Sequence, residues 1–381
     1  MRSTARRWLV VPTCVLAVVV LVATPAAAAT PWTIVPSPNS GRDFNRLNAV
    51  TAVFSNDAWA VGLARRSGRY RTLILHDDGT GWRQVSSPSV GSSTNELLAV
   101  HGTSAGNAWA VGRAFTGSVD HTLALHFNGA GWSTTPTPNV GPGDNALRGV
   151  ASVTPYDVWA VGASAGDYTF APLAMHFDGS AWTVVPIPEP PGGGFLDAVA
   201  ALAPDDVWAV GGTGDDGDAA LVEHWDGTRW RVVRTPPLAG EDSLHAVSAL
   251  AADDIWAVGR VGSSTLTEHW DGSAWSVVPS PDPLATSSGT NFLTGVAAVS
   301  PTEVWAVGGA RDFTAGGLVR TATLRYDGTA WRVVHSPNAG SGDNTLLGVA
   351  TPGPGHLVAV GSYRPTPSAY DRTLVLAADR I

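Results

Sequence analysis

Five histidines stand at one place in a recurring pattern. His76, His126, His176, His224 and His269 each lie two residues ahead of an Asp or Asn that opens a turn. Imidazole is a common metal ligand and general base. Equivalent places in separate repeats are too far apart to share an ion whose nitrogen ligands sit ~2 Å away. We read these histidines as partly buried side chains bonding locally; Arg325 and Ala377 break the set. Asp215, Asp216 and Asp218 lie close together but lack the D-x-D-x-D-G order of a calcium loop. No G-x-S-x-G, H-E-x-x-H, P-loop or Cys-x-x-Cys motif occurs. The expectation is therefore no cofactor, no metal and no assigned catalytic residue.

The polar groups suited to recognition are of two kinds. Asn45, Asn95, Asn145, Asn291 and Asn344 recur just ahead of an apolar segment, with Gly194 and Asp242 in the other two places. They could rim a central opening, or each could bond the backbone of its own turn. The stretches 62–72, 211–220 and 308–321 read as loops of unlike chemistry, carrying Arg65, Arg66, Arg69 and Tyr70, then the three Asp, then Arg311, Asp312 and Phe313. Variable loops on a rigid frame are where binding usually sits. Arg66, Tyr70, Asn95, Asn145 and Asp216 are the ligand-binding residues this predicts.

The elements that would position them repeat. Asp206-Val207-Trp208-Ala209-Val210-Gly211 recurs roughly every 50 residues, at Trp59, Trp109, Trp159, Trp208, Trp256 and Trp305, and in decayed form around Val358. Each unit has four short apolar segments rich in β-branched and aromatic residues, which read as strands. The last two are joined by Asn128-Gly129 or by Asp-Gly, as at Asp226-Gly227, a tight-hairpin signal in which both residues tolerate positive φ. Four antiparallel strands per unit make a propeller blade.

Closure fixes the blade number. A second Trp opens the fourth strand at Trp32, Trp82, Trp132, Trp182, Trp230, Trp275 and Trp331. Trp32 precedes every complete unit, and the last unit stops without such a Trp. Residues 32–35 should therefore complete the last blade, giving an all-β, seven-bladed propeller with no open edge at the seam. Ala49, Ala99, Gly149, Ala198, Ala246, Gly295 and Gly348 are small where the inner strands must crowd.

The Asp-x-Trp-Ala-Val-Gly box followed by Leu-x-x-His-x-Asp-Gly-x-x-Trp resembles bacterial secreted propellers of the Asp-box and galactose-oxidase or kelch-like groups. The resemblance implies the fold. It does not carry an activity. The Asp-box spacing differs by one residue, the kelch Gly-Gly pair is not reproduced, and no Arg triad with Tyr and carboxylate falls on equivalent strands.

The 381-residue chain opens with a basic stretch, an apolar run from Trp8 to about Ala23, and small residues to Ala29. That is the pattern of a secretory signal peptide over residues 1–29, leaving a propeller over 30–381 and no membrane span after cleavage. The one cysteine, Cys14, lies in the apolar run, so the mature chain has no disulfide. Losing Arg2, Arg6 and Arg7 with no acid takes the formal charge of -9 to -12, which disfavours nucleic acid. Every Lys is absent, a bias we read as high-GC bacterial codon usage. The expected protein is a secreted, monomeric, non-catalytic propeller that binds an extracellular glycan or protein. A polysaccharide hydrolase or lyase is the rival. It needs two carboxylates ~5–9.5 Å apart, with Glu189, Asp197 and Glu241 nearest by topology. A structural surface protein is the third reading.

Overall fold

The computed structural model describes residues 32–379 apart from 55, 167–168, 216, 286–287, 315 and 352–355. The signal segment and Asp216 thus lie outside the described residues. Seven four-stranded antiparallel sheets form in chain order. The first blade is Asn45–Phe54, Asp57–Arg66, Arg69–Asp77 and Trp82–Val85, from axis to rim. The last joins Asn344–Ala350, His356–Tyr363 and Arg372–Asp379 to the N-terminal strand Thr33–Ile34. Thr33 pairs with Ala377 and Ile34 with Leu376, so the ring closes as the odd Trp32 required. No described helix is long and apolar enough to cross a membrane.

The wedges between blades hold the core. Trp59, Val61 and Ile74 of the first blade pack on Leu97, Val100, Leu125 and Trp132 of the second. The same perpendicular indole pair recurs around the ring, for example Trp59–Trp132 at 5.3 Å and 80° and Trp32–Trp305 at 5.7 Å and 89°. This geometry presents the positive edge of one ring to the electron-rich face of the other. The box Asp or Asn and the recurring His cover five of the six box Trp from the solvent side, and Arg325 covers Trp305. His76 stacks on Trp59 at 3.9 Å while its Nε2 meets Asp57 Oδ1 at 2.8 Å. Asp157–His176, Asp206–His224 and Asp254–His269 repeat the contact, with Asn107 in place of Asp at His126. These histidines bond locally, as their spacing predicts.

Two local expectations change. The Asp-Gly hairpins are not two-residue turns with both residues at positive φ. Only the glycine takes it, as at Gly227 (φ 84°), because the Asp carboxylate accepts the next N–H groups itself. Asp226 Oδ1 receives Thr228 N (3.0 Å) and Arg229 N (3.0 Å), an Asx turn inside a longer loop. The stretch 62–72 is also no loop. Its strands run on to Arg66 and restart at Arg69 around Ser67 (φ 48°) and Gly68 (φ 78°), the two-residue turn with both φ positive. The stretches 211–220 and 308–321 are likewise shortened by strands reaching Thr213 and Asp312.

Candidate functional site

The Gly that ends each WAVG box sets the site. A Cβ on Gly62 would stand 2.0 Å from the carbonyl oxygen of Arg46 on the inner strand. Only glycine permits that approach, and with it the register slips. Leu47 faces Gly62, Ala49 faces Val61, and Asn48 is left over as a bulge. All seven blades do this, stranding Asn48, Leu98, Arg148, Asp197, His245, Thr294 and Leu347. A bulge re-aims its side chain, and here all seven line one cavity of about 440 Å³ at the axis. It lies where the inner strands begin, on the face of the interblade links. Beneath it the channel narrows to about 190 Å³ between small and apolar residues such as Ala49, Gly149 and Val199.

Charge fills the mouth. Glu96 is 2% exposed and receives Arg46 Nη2 (2.7 Å), Arg113 Nε (3.1 Å) and Nη2 (3.0 Å), and Asn48 Nδ2 (3.1 Å). Burial works to raise its carboxyl, but the two guanidiniums outweigh it and hold the group below the ordinary value. Asp197 has the same balance. Burial pushes it up, and the hydrogen bond from His245 with the charge of Arg148 pulls it below the ordinary value. Arg148 Nη1 reaches Asp197 Oδ1 at 2.9 Å, with its guanidinium 5.0 Å above the Phe195 ring.

Ser243 Oγ, His245 and Asp197 form a relay, with Oγ to Nε2 at 3.3 Å and Nδ1 to Asp197 Oδ2 at 3.0 Å. The connectivity is that of a nucleophile, a base and its orienting acid. Ser243 is 1% exposed, however, so a substrate carbonyl has no path to its oxygen. The relay instead fixes the His245 ring in the mouth.

The expected binding residues fall elsewhere. Asn95 is fully buried; its Oδ1 accepts Gly91 N (2.6 Å) and its Nδ2 donates to the carbonyls of Tyr70 (3.2 Å) and Gly91 (3.3 Å). Asn145 likewise accepts Val140 N (2.9 Å) and donates to Val140 O (3.1 Å) and Gly143 O (2.9 Å). These amides bond their own links, the alternative the sequence left open. Arg66 and Tyr70 share the hairpin of the first blade at the periphery of the same face. Arg66 bonds Ser40 Oγ and Gln84 Oε1 (3.0 Å), and Tyr70 meets Phe44 edge-on at 5.8 Å. Glu189 and Glu241 are exposed on links, and of the three carboxylates named only Asp197 lines the mouth. The signal missed is variation: x takes six different residues over the seven copies of an otherwise constant Leu-x-Ala/Gly-Val stretch.

No family model matches the chain, and no curated protein matches it. Solved propellers do. YCF48 from Cyanidioschyzon merolae is similar at 17% identity and TM-score 0.57, covering 93% of this chain and 99% of that one. A structure titled YCF48 bound to D1 peptide matches at 15% identity, the same TM-score and the same coverage. U3-55K matches at 11% identity and TM-score 0.57, over 93% of this chain and 100% of that one. At these identities the likeness is one of fold: an all-β, seven-bladed propeller.

Proposed function

We propose that this chain is a secreted binding scaffold that holds an extended segment of an extracellular protein across the axial mouth on the link face. The observation that carries the reading is the ring of seven bulges. Each turns a residue that varies between repeats toward a common cavity on a rigid frame. The chemistry there is guanidinium, carboxylate and imidazole, which suits the backbone and charged side chains of a peptide. Phe195, the aromatic under Arg148, is itself buried, and among the described residues no Phe, Tyr or Trp lines the mouth to offer a sugar ring a stacking surface there. Cleavage of a glycosidic bond would need a carboxyl raised above its ordinary range as the general acid. Glu96 and Asp197 are both lowered. Among proteins of similar fold, one structure is of YCF48 with a D1 peptide, which makes peptide capture a use this architecture admits.

The test is a peptide array and a glycan array probed in parallel with residues 30–381. Peptide binding that weakens about tenfold or more in Arg148→Ala supports the reading. Glycan binding without peptide binding, or a ligand crosslinked to the Asp-Gly face, would overturn it. Secretion is checked separately by N-terminal sequencing of exported protein, which should begin near Thr30.

A further inference from the structure

The link face is electrically two-sided. On and beside the first blade lie Arg42, Arg65, Arg66, Arg69, Arg71 and Arg372. Their hydrogen bonds go to neutral oxygens: Arg66 to Ser40 and Gln84, Arg71 to the Gly91 carbonyl, and Arg372 to the carbonyls of Gly41 and Arg42. No carboxylate is paired with any of the six among the described residues; Asp43 is the acid that shares their link. On and beside the fourth blade lie Glu189, Asp215, Asp218 and Glu241, all exposed. Asp215 accepts a backbone N–H from Phe170 at 3.0 Å, and none of the four is in an ion pair among the described residues. Arg234 and Arg260 are the cations on that side. Blades one and four stand three steps apart in a ring of seven, so the two sectors face each other across the mouth.

Clustered charge left unpaired by the fold is what orients a partner during encounter. We infer that the segment bound across the mouth is bipolar, with its acidic end over the first blade and its basic end over the fourth. Within the mouth the charges are paired instead, Arg46 and Arg113 on Glu96 and Arg148 on Asp197, so the two outer sectors supply the unpaired charge. The inference rests on the peptide reading above and adds partner charge and direction.

The experiment uses the chain from residue 30 and fluorescent peptides of about twelve residues, roughly 40 Å when extended. One peptide runs from a Glu-rich end through Gly and Ser to an Arg-rich end. A second has the same composition with the charges alternating. Each carries a photo-crosslinker at one terminus. The bipolar peptide should bind more tightly, lose affinity as salt rises, and weaken by about tenfold in Arg65→Glu/Arg69→Glu. Those two side chains make no hydrogen bond among the described residues, and Arg69→Gln, with a smaller loss, controls for folding. Its acidic terminus should crosslink to residues 42–72 and its basic terminus to residues 189–218. Equal binding of the two peptides, or either terminus crosslinking to both sectors alike, overturns the bipolar inference. If both peptides bind equally and both are lost in Arg148→Ala, the mouth remains the site and only the direction fails. Crosslinks on the Asp-Gly face would sink both.

Discussion

The wedges between blades and the mouth at the axis are made from the same seven copies, yet they use repetition in opposite ways. In the wedges the same Trp, Val and Ala return because each side chain packs against its counterpart in the next copy. Six wedges hold a perpendicular Trp pair. The seventh replaces one partner with Val358 beside Trp82. At the mouth the bulged residue is Asn, Leu, Arg, Asp, His, Thr and Leu in turn. It has no partner in the neighbouring strand's register and so escapes the constraint that keeps the rest constant. Repetition marks the frame, and its absence marks the surface that can be specialised.

The largest expected effect tests the frame at its seam. Deleting residues 30–38 removes Trp32, 3% exposed, along with the strand that pairs with Ala377 and Leu376. The loss should be about 3–5 kcal/mol, as for truncating a large core aromatic. Chemical denaturation of the deleted chain measures it, and an unchanged midpoint would mean the seam does not need its outer strand.

The next effect falls where the wedges break their own rule. Leu75, Leu125, Met175, Leu324 and Leu376 occupy one buried place on the third strand, but blades four and five put Glu223 and Glu268 there. Both carboxyls are fully buried and find no hydrogen-bond partner. Burial pushes Glu223 up to about 8. It pushes Glu268 to about 7, with the charge of Asp242 adding to the rise. The folded state therefore keeps protons that the unfolded chain releases near 4.5. The part of their cost that comes from ionisation is absent below that value, grows as pH rises through the interval, and is complete above about 8. Glu223→Leu should raise stability by about 1–3 kcal/mol near pH 4, where it removes a neutral carboxyl with no partner, and by roughly 2–4 kcal/mol more near pH 9. A melting temperature that shifts equally at both pH values would show that the gain is packing alone.

Gly211→Ala probes the joint between frame and mouth. Its Cβ would lie 2.0 Å from the Phe195 carbonyl oxygen. Backbone must move to admit it, at a cost of about 1–3 kcal/mol, and the bulge that aims Asp197 should be lost with it. Urea denaturation measures the first. Loss of peptide binding by chain that is still folded measures the second.

The sequence made much of the frame readable. Trp and Gly recur at positions where packing leaves no alternative, and the unmatched Trp32 announced the closing strand. Three features were hidden for physical reasons. The Asn positions looked like ligands because a polar residue repeated near an axis is ambiguous until its burial is known. The hairpin 62–72 looked like a loop because charged strand ends and a Ser-Gly turn carry no apolar alternation. The bulge was invisible because its cause, the box glycine, and its consequence, the axial residue, lie on different strands.

The smallest stability effect is the sharpest test of the comparison. Leu98 is a bulge residue that lines the mouth, and the first blade carries Asn48 in the same place on the same backbone. Asn is therefore already compatible with that bulge. Leu98→Asn should change stability by no more than ~0.5 kcal/mol, the range of substitutions that disturb no packed or buried group. It replaces an apolar wall next to Glu96 and Arg148 with a hydrogen-bonding amide, so peptide selectivity should shift although the melting temperature does not. Array profiles of the parent and the variant, taken with melting curves, read both quantities. A fall in stability as large as that of Gly211→Ala, with peptide selectivity unchanged, would place Leu98 in the frame and remove the distinction between mouth and wedge.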